Sequence, residues 1–409
     1  MRSSPRAIAE RIADTFEPLM RPHFTEGNRI RLLASAQPYF QALIAAIAAA
    51  RRVVHLETYI FADDRRGRSI VDALTDAAGR GVQVRVLIDG FGGGEFARQL
   101  AARLPAVGAQ VRLYRPQRWW QPRRGLLRRL HRKLVVIDDQ LAYLGGINVN
   151  DDPERDEFTG EMIGPRFDVA VECEGPIVAA ISYAVRRLWW AVAMANRGYV
   201  SEPMPRRVRP ALFAQDGVRA ALVLRDNLRH RHSIERSYLS SFRSARRQIL
   251  VASAYFLPGR RFRSALVRAV RRGVRVNLLL QGRMEYRLQH YAQRALYGQF
   301  LDAGIEIHEY RRSYLHAKVA VVDEDWATVG SSNIDPLSLL LAREANVVVR
   351  GRAFSGELRA LIESAIQTDS RQLHAADYAR RSPVARVMDW IAYGLVRAAT
   401  LVLARGNNY

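Results

Sequence analysis

One pattern is written twice in this chain. Residues 130–150 read LHRKLVVIDDQLAYLGGINVN and set His131, Lys133 and Asp138 ahead of Gly145, Gly146 and Asn148. Residues 315–335 read LHAKVAVVDEDWATVGSSNID and place His316, Lys318, Asp323, Gly330, Ser331 and Asn333 at the same internal spacing. The likeness extends outwards. RRGRSIVDALTDAAGRGVQVRVLIDG (65–90) resembles GRRFRSALVRAVRRGVRVNLLLQG (259–282), each an amphipathic helix, a turn at Arg-Gly-Val and a buried strand. VVHLETYIF matches ILVASAYFL upstream, and GAQVRLY (108–114) matches GIEIHEY (304–310) downstream. A chain written this way folds as two copies of one α/β domain. Alternating helices and buried strands predict a mixed, mostly parallel β-sheet flanked by helices in each copy. Packed about a pseudo-two-fold axis, the copies share one active site between them.

The 409 residues suffice for about two such domains. The predicted division is a first domain over 1–200, a proline-rich linker over 201–215, a second domain over 216–380 and a tail over 381–409. The copies differ in one connection. Tyr114 and His131 are 17 residues apart, Tyr310 and His316 only 6, so the first copy carries 11 more. They fall within RPQRWWQPRRGLLRRL (115–130), a loop with six arginines, Trp119 and Trp120 that is expected to project beside the first motif.

HRKLVVID and HAKVAVVD read as strands. A period of two puts His131 and Lys133 on one face, and His316 and Lys318 likewise. Asn148 and Asn333 add amide donors after small-residue turns. This donor set suits phosphate oxygens. It does not suit a metal, because lysine is protonated and no carboxylate or cysteine cluster accompanies the histidines. No cofactor or metal is expected. The 63 lysine and arginine positions hold only two lysines, one in each motif. A point-charge ammonium fits where a planar guanidinium does not. Two such histidines can face each other across one phosphorus, one attacking as nucleophile and the other protonating the leaving oxygen. Asp138 and Asp323 complete the motif and are counted with the catalytic set, although fixing the turn after each strand suits them better than touching substrate.

A formal charge of +23 calls for an anionic partner, either nucleic acid or an acidic membrane surface. The single cysteine, Cys173, excludes an intramolecular disulfide framework and reads as a buried thiol. MRSSPRAIAERIADTF at the start lacks the apolar core of a signal peptide, and ALIAAIAAA (42–50) is too short to cross a bilayer. A cytoplasmic protein without a transmembrane helix is expected. In the tail, Arg386, Asp389, Tyr393, Arg397 and Thr400 recur at helical steps as one polar stripe. Val387, Met388, Ile391 and Leu395 fill the wider remaining surface, the layout of a helix lying in a membrane interface. Trp390 on that helix, with Trp119 and Trp120 in the loop, is a candidate membrane contact.

These residues carry the double H-x-K-x(4)-D-x(6)-G-[GS]-x-N signature, and the chain resembles the phospholipase D superfamily over nearly its whole length. GGIN, PRFDVAVECEGP and WATVGSSNIDPLSLLLAREANVVV look most like the short bacterial cardiolipin synthases of the B type, which lack N-terminal transmembrane helices. The resemblance implies a two-step, metal-independent transfer of a phosphatidyl group to phosphatidylglycerol through a phosphohistidine. It implies that His131 and His316 are nucleophile and acid/base, with His131 favoured as nucleophile. Lys133, Lys318, Asn148 and Asn333 then bind the phosphoryl group. An acidic residue after each motif orients its histidine, and Asp168 in RFDVAV and Glu344 in REANVVV occupy that place. The implied partners are phospholipids, with phosphatidylglycerol or phosphatidylethanolamine as donor, and an anionic membrane. The implied location is peripheral, on the cytoplasmic face of the inner membrane, with no nucleic acid bound. The alternatives are a phospholipase D-type hydrolase, another phosphatidyltransferase or a nuclease of the same superfamily. A catalytically dead binding protein is a further rival, but binding alone does not need paired histidines.

Overall fold

A computed structural model describes residues 22–116, 129–195, 205, 217–226, 230–336 and 342–404. The loop that holds Trp119 and Trp120 lies outside the described residues, as does the 201–215 linker apart from Pro205.

The strands of the first half are β1 (Thr25–Leu33), β2 (Val53–Thr58), β3 (Gln83–Asp89), β4 (Gln110–Tyr114), β5 (Leu134–Ile137), β6 (Leu141–Gly145) and β7 (Ala170–Glu174). Those of the second are β8 (Val218–Arg225), β9 (Gln248–Ser253), β10 (Arg275–Gln281), β11 (Glu306–Tyr310), β12 (Lys318–Val322), β13 (Trp326–Gly330), β14 (Glu344–Arg350) and β15 (Ser370–Leu373). All join one 15-stranded sheet in the order β15-β11-β10-β9-β12-β13-β14-β8-β1-β7-β6-β5-β2-β3-β4. Read outwards from the central β8–β1 pair, the two sides repeat strand for strand, and only β15 is extra. The duplication in the sequence is thus a pseudo-two-fold in the fold.

The sheet corrects the expectation of a mostly parallel arrangement. Four pairings are parallel: β2–β3, β3–β4, β9–β10 and β10–β11. The other pairings are antiparallel. Connection length decides this. A helix crosses between β2 and β3 and between β9 and β10, which permits parallel pairing. Only Asp138–Gln140 separate β5 from β6, and only Asp323–Asp325 separate β12 from β13, so the motif strands are hairpins.

Among the described residues, four helices cover the first half: α1 (Ala36–Ala49), α2 (Arg65–Gly79), α3 (Gly94–Arg103) and α4 (Ile177–Ala195). The second half carries α5 (Ser233–Ser244), α6 (Arg260–Arg271), α7 (Arg287–Arg294), α8 (Tyr297–Asp302) and α9 (Arg352–Asp369), followed by α10 (Ala375–Ala379) and α11 (Pro383–Ala404). Each half buries an apolar cluster of its own. A third cluster draws on both. Leu134, Val136, Leu144 and Val171 pack with Val319, Val321, Val329 and Val347, and α4 and α9 contribute Ile181 and Leu358. Buried Cys173 belongs to this shared core. Among the described residues α4 alone is long and apolar enough to cross a membrane, and 56% of its apolar window is buried in the fold. The motif hairpins therefore stand on a core that belongs to neither half alone.

The structure places Asp138 and Asp323 at the hairpin turns after the motif strands. Both adopt left-handed backbone angles, φ 53° and 51°, at the hairpin turns, where a short polar side chain is tolerated. The Asp138 carboxylate accepts backbone N–H groups of Arg51, Arg52 and Val53 at 2.7–2.8 Å. Asp323 does the same for Arg246, Arg247 and Gln248 at 2.8–3.0 Å. Each pins a motif hairpin to the start of the neighbouring strand. The Asp323→Ala variant is expected to lose about 1–3 kcal/mol of stability while its folded fraction keeps its turnover number. Urea unfolding measured beside activity checks this, and lost turnover at unchanged stability would contradict it.

Candidate active site

Each motif histidine precedes its strand and is stitched to the other half. The His131 N–H donates to the Arg343 carbonyl at 3.0 Å, and the His316 N–H to the Phe167 carbonyl at 2.9 Å. Leu130 bridges Arg343, and Phe167 bridges Leu315. The residues following Arg343 and Phe167 are Glu344 and Asp168. Consequently the side chains pair crosswise. His131 Nδ1 lies 2.9 Å from Glu344 Oε1, and His316 Nδ1 lies 2.6 Å from Asp168 Oδ2. The acid after each motif was expected to orient its own histidine. It holds the histidine of the other half instead, because the lead-in to each acid strand docks on the opposite motif.

Small differences between the copies follow from this packing. A Cβ at Gly146 would lie 2.1 Å from Asp168 Oδ1, so the first copy has room only for glycine. The equivalent Ser331 donates its hydroxyl to Glu344. Glu344 is therefore held by His131 and Ser331, and Asp168 by His316, the Val169 N–H and the close backbone of Gly146.

Both carboxylates are buried, both imidazoles are largely covered, and their charges are mutually dependent. Burial alone would raise both carboxyls, but the paired imidazole and the nearby ammonium hold them below the usual range. An ionised carboxylate can only accept, so each Nδ1 carries the proton and each Nε2 presents a lone pair. Burial also lowers both histidines. Lys318 adds to this at His316, which is pushed down to about 3, and Lys133 adds to it at His131. Both shifts favour neutral imidazoles at pH 7. Burial depresses the lysines too, Lys133 to about 7 and Lys318 to about 8.

His131 and His316 line one cavity of about 520 Å³ together with Asn148, Asn333 and Asp168. Residues from both halves thus converge on a single space. The Asn148 carbonyl takes the Ile60 N–H at 3.4 Å, which leaves its amide hydrogens for the cavity. Lys133 and Lys318 are 3% and 1% exposed and stand behind the lining. Each ammonium folds back onto the carbonyl of its own motif histidine.

Several lining residues were not singled out from the sequence: Tyr59, Arg129, Arg166, Tyr255 and Glu285. Tyr59 packs edge-on against His131 with ring centroids 5.0 Å apart. Tyr59 and Tyr255 hold the same place in the repeated VVHLETYIF and ILVASAYFL, so the internal alignment carried a signal for them. Phe91 in the glycine-rich turn after β3 also lines the cavity. The turn is held by Asp89, which accepts the N–H groups of Phe91, Gly92 and Leu130.

The fold is that of a PLD-like enzyme. The crystal structure of phosphatidylserine synthase from Haemophilus influenzae Rd KW20 superposes with a TM-score of 0.70 at 14% identity, covering 98% of this chain and all of that one. Cardiolipin synthase B of Escherichia coli K12 is 38% identical over 365 residues, 87% of this chain and 84% of that protein. Its Salmonella typhimurium counterpart is 38% identical over 367 residues, covering 89% and 86%. A family model described as "Cardiolipin synthase, PLD-like domain" matches residues 43–157 and 238–366. The chain belongs to this PLD-like cardiolipin synthase family, and it is a phosphatidyltransferase.

The crossed pairing has a direct spectroscopic consequence. In an Asp168→Asn variant the imidazole nitrogen resonances of His316 are expected to move and those of His131 to stay. Nitrogen-15 NMR of histidine-labelled protein checks this, and movement confined to His131 would contradict it.

Proposed function

We propose that the protein makes cardiolipin, moving a phosphatidyl group from a phospholipid donor to phosphatidylglycerol at the cytoplasmic face of the inner membrane. The observation that carries this reading is the pair of imidazoles, each aligned by the other half's carboxylate, on one cavity. His131 Nε2 attacks the donor phosphorus. The bond from phosphorus to the head-group oxygen breaks, and that oxygen takes a proton from His316. The phosphodiester's own negative charge raises His316 from its low value in the empty site, so lipid and proton arrive together. The alcohol leaves, the acceptor hydroxyl gives its proton to His316, and its oxygen displaces His131 from phosphorus. Asn148 and Asn333 donate to the phosphoryl oxygens, and the two buried ammoniums supply a fixed positive field.

A lipid substrate fits the mouth of the site. Phe91 and Tyr286 line the cavity and yet are 55% and 58% exposed, offering apolar surface to acyl chains. Helix α11 supports the membrane assignment. Its polar stripe turns partly into the fold: Asp389 is wholly buried and paired with Arg381 at 2.5 Å, Thr400 is buried, Tyr393 and Arg397 are half-buried, and Arg386 is exposed. The helix packs along α7, whose Gln289 lines the cavity. Val384, Val387, Met388, Trp390, Ile391 and Leu395 are left 49–73% exposed. An outward apolar face on a protein of charge +23 suits insertion into an anionic interface.

Purified protein given phosphatidylglycerol, with and without phosphatidylethanolamine and in excess chelator, is expected to form cardiolipin detectable by mass spectrometry. Its kcat/KM should fall as the pH rises through the range set by the lysines, about 7 for Lys133 and about 8 for Lys318, because their charge is lost there. Phosphatidic acid as sole product would make the protein a hydrolase, and absence of any lipid product would remove the lipid reading. An Ile391→Glu, Leu395→Glu variant is expected to bind anionic vesicles roughly tenfold more weakly, and unchanged co-sedimentation would contradict the role of α11.

A further inference from the structure

The cavity departs from the pseudo-symmetry at several charged positions, and one of them follows β10. After β3, the first half turns through Gly90, Phe91 and Gly92, and the Asp89 carboxylate is spent on backbone amides. After β10, the second half instead brings Glu285 into the cavity lining. Its side chain is only 11% exposed and lies 3.7 Å from Arg166. Tyr255 donates its hydroxyl to Glu285 Oε2 at 2.6 Å. The equivalent Tyr59 meets His131 rather than a carboxylate.

Glu285 stands on the His316 side. Arg166 is two residues from Asp168, which holds His316. Gln281, on the strand leading to Glu285, accepts the Leu315 N–H at 2.8 Å. A carboxylate is an odd wall for a cavity that receives phosphate, since like charges repel. It is a good wall for the alcohol, because a carboxylate accepts hydroxyl hydrogens.

We propose that Glu285, steadied by Tyr255, is a specificity residue that receives the free hydroxyls of a polyol head group on the His316 side. This rests on the transferase reading above and extends it to the choice of alcohol. The lining also holds Asp152, Asp168 and Asp335, but the charged group facing Glu285 is the Arg166 guanidinium, which favours hydroxyls over an ammonium head group at that spot. Arg166 already faces Glu285, Arg129 lines the same cavity, and Lys133 and Lys318 lie behind it. A further cation would meet repulsion, whereas a diol adds two donors without charge.

The test is head-group exchange on phosphatidylglycerol vesicles with added acceptors, 1-propanol, 1,3-propanediol or ethanolamine, followed by mass spectrometry of the phosphatidyl-alcohols. The wild type is expected to favour the diol over propanol. In Glu285→Ala that preference should fall roughly tenfold, the scale of one charge-assisted hydrogen bond. Tyr255→Phe, which keeps volume and frees the carboxylate, should reduce it less. Product formed by either variant shows that it folds. An unchanged diol-to-propanol ratio in both variants would overturn the proposal, as would a selective loss of ethanolamine transfer. A wild type that transfers to no alcohol would instead overturn the transferase reading itself.

Discussion

Two hydrogen bonds hold this enzyme's chemistry together, and both cross the boundary between its halves. His131 leans on Glu344 and His316 on Asp168. Neither half's acid pairs with its own motif histidine. The backbone repeats the exchange, since each histidine's N–H is taken by the strand lead-in that carries the opposite acid. A relative shift of the halves would therefore misalign both imidazoles at once. The shared apolar core under the motif hairpins prevents such a shift, because close-packed interiors resist small displacements.

The same arrangement answers the electrostatic problem of the site. Two carboxylates and two ammoniums are buried within reach of one another, which balances the charge of the empty cavity. Burial favours neutral imidazoles, so a nucleophile is available before substrate arrives. An arriving phosphodiester then supplies the negative charge that lets one imidazole hold a second proton. On the proposed reaction the acid is thus created by the substrate.

Much of this was legible in the chain. The repeat implied the pseudo-two-fold, and the repeated histidine, lysine and asparagine marked the cavity. Other features depend on docking and could not be read locally. Which acid meets which histidine is decided by how the halves face each other. The direction of the α11 stripe is decided by α7, which lies about a hundred residues upstream in the chain and buries Asp389. The antiparallel hairpins were readable in principle from the three-residue turns after Ile137 and Val322. Tyr59 and Tyr255 were readable from the alignment of the copies. Glu285 has no counterpart in the first half, so neither repeat nor motif pointed to it.

The central claim is that one phosphorus is served by both halves, with His131 attacking and His316 moving the proton. It is tested most directly in a His316→Ala variant given a phosphatidic acid ester of p-nitrophenol, whose leaving group departs without a proton. The account predicts one burst of nitrophenol and a phosphatidyl adduct that peptide mass spectrometry places on His131. Release of nitrophenol with no adduct, or an adduct on another residue, would contradict it.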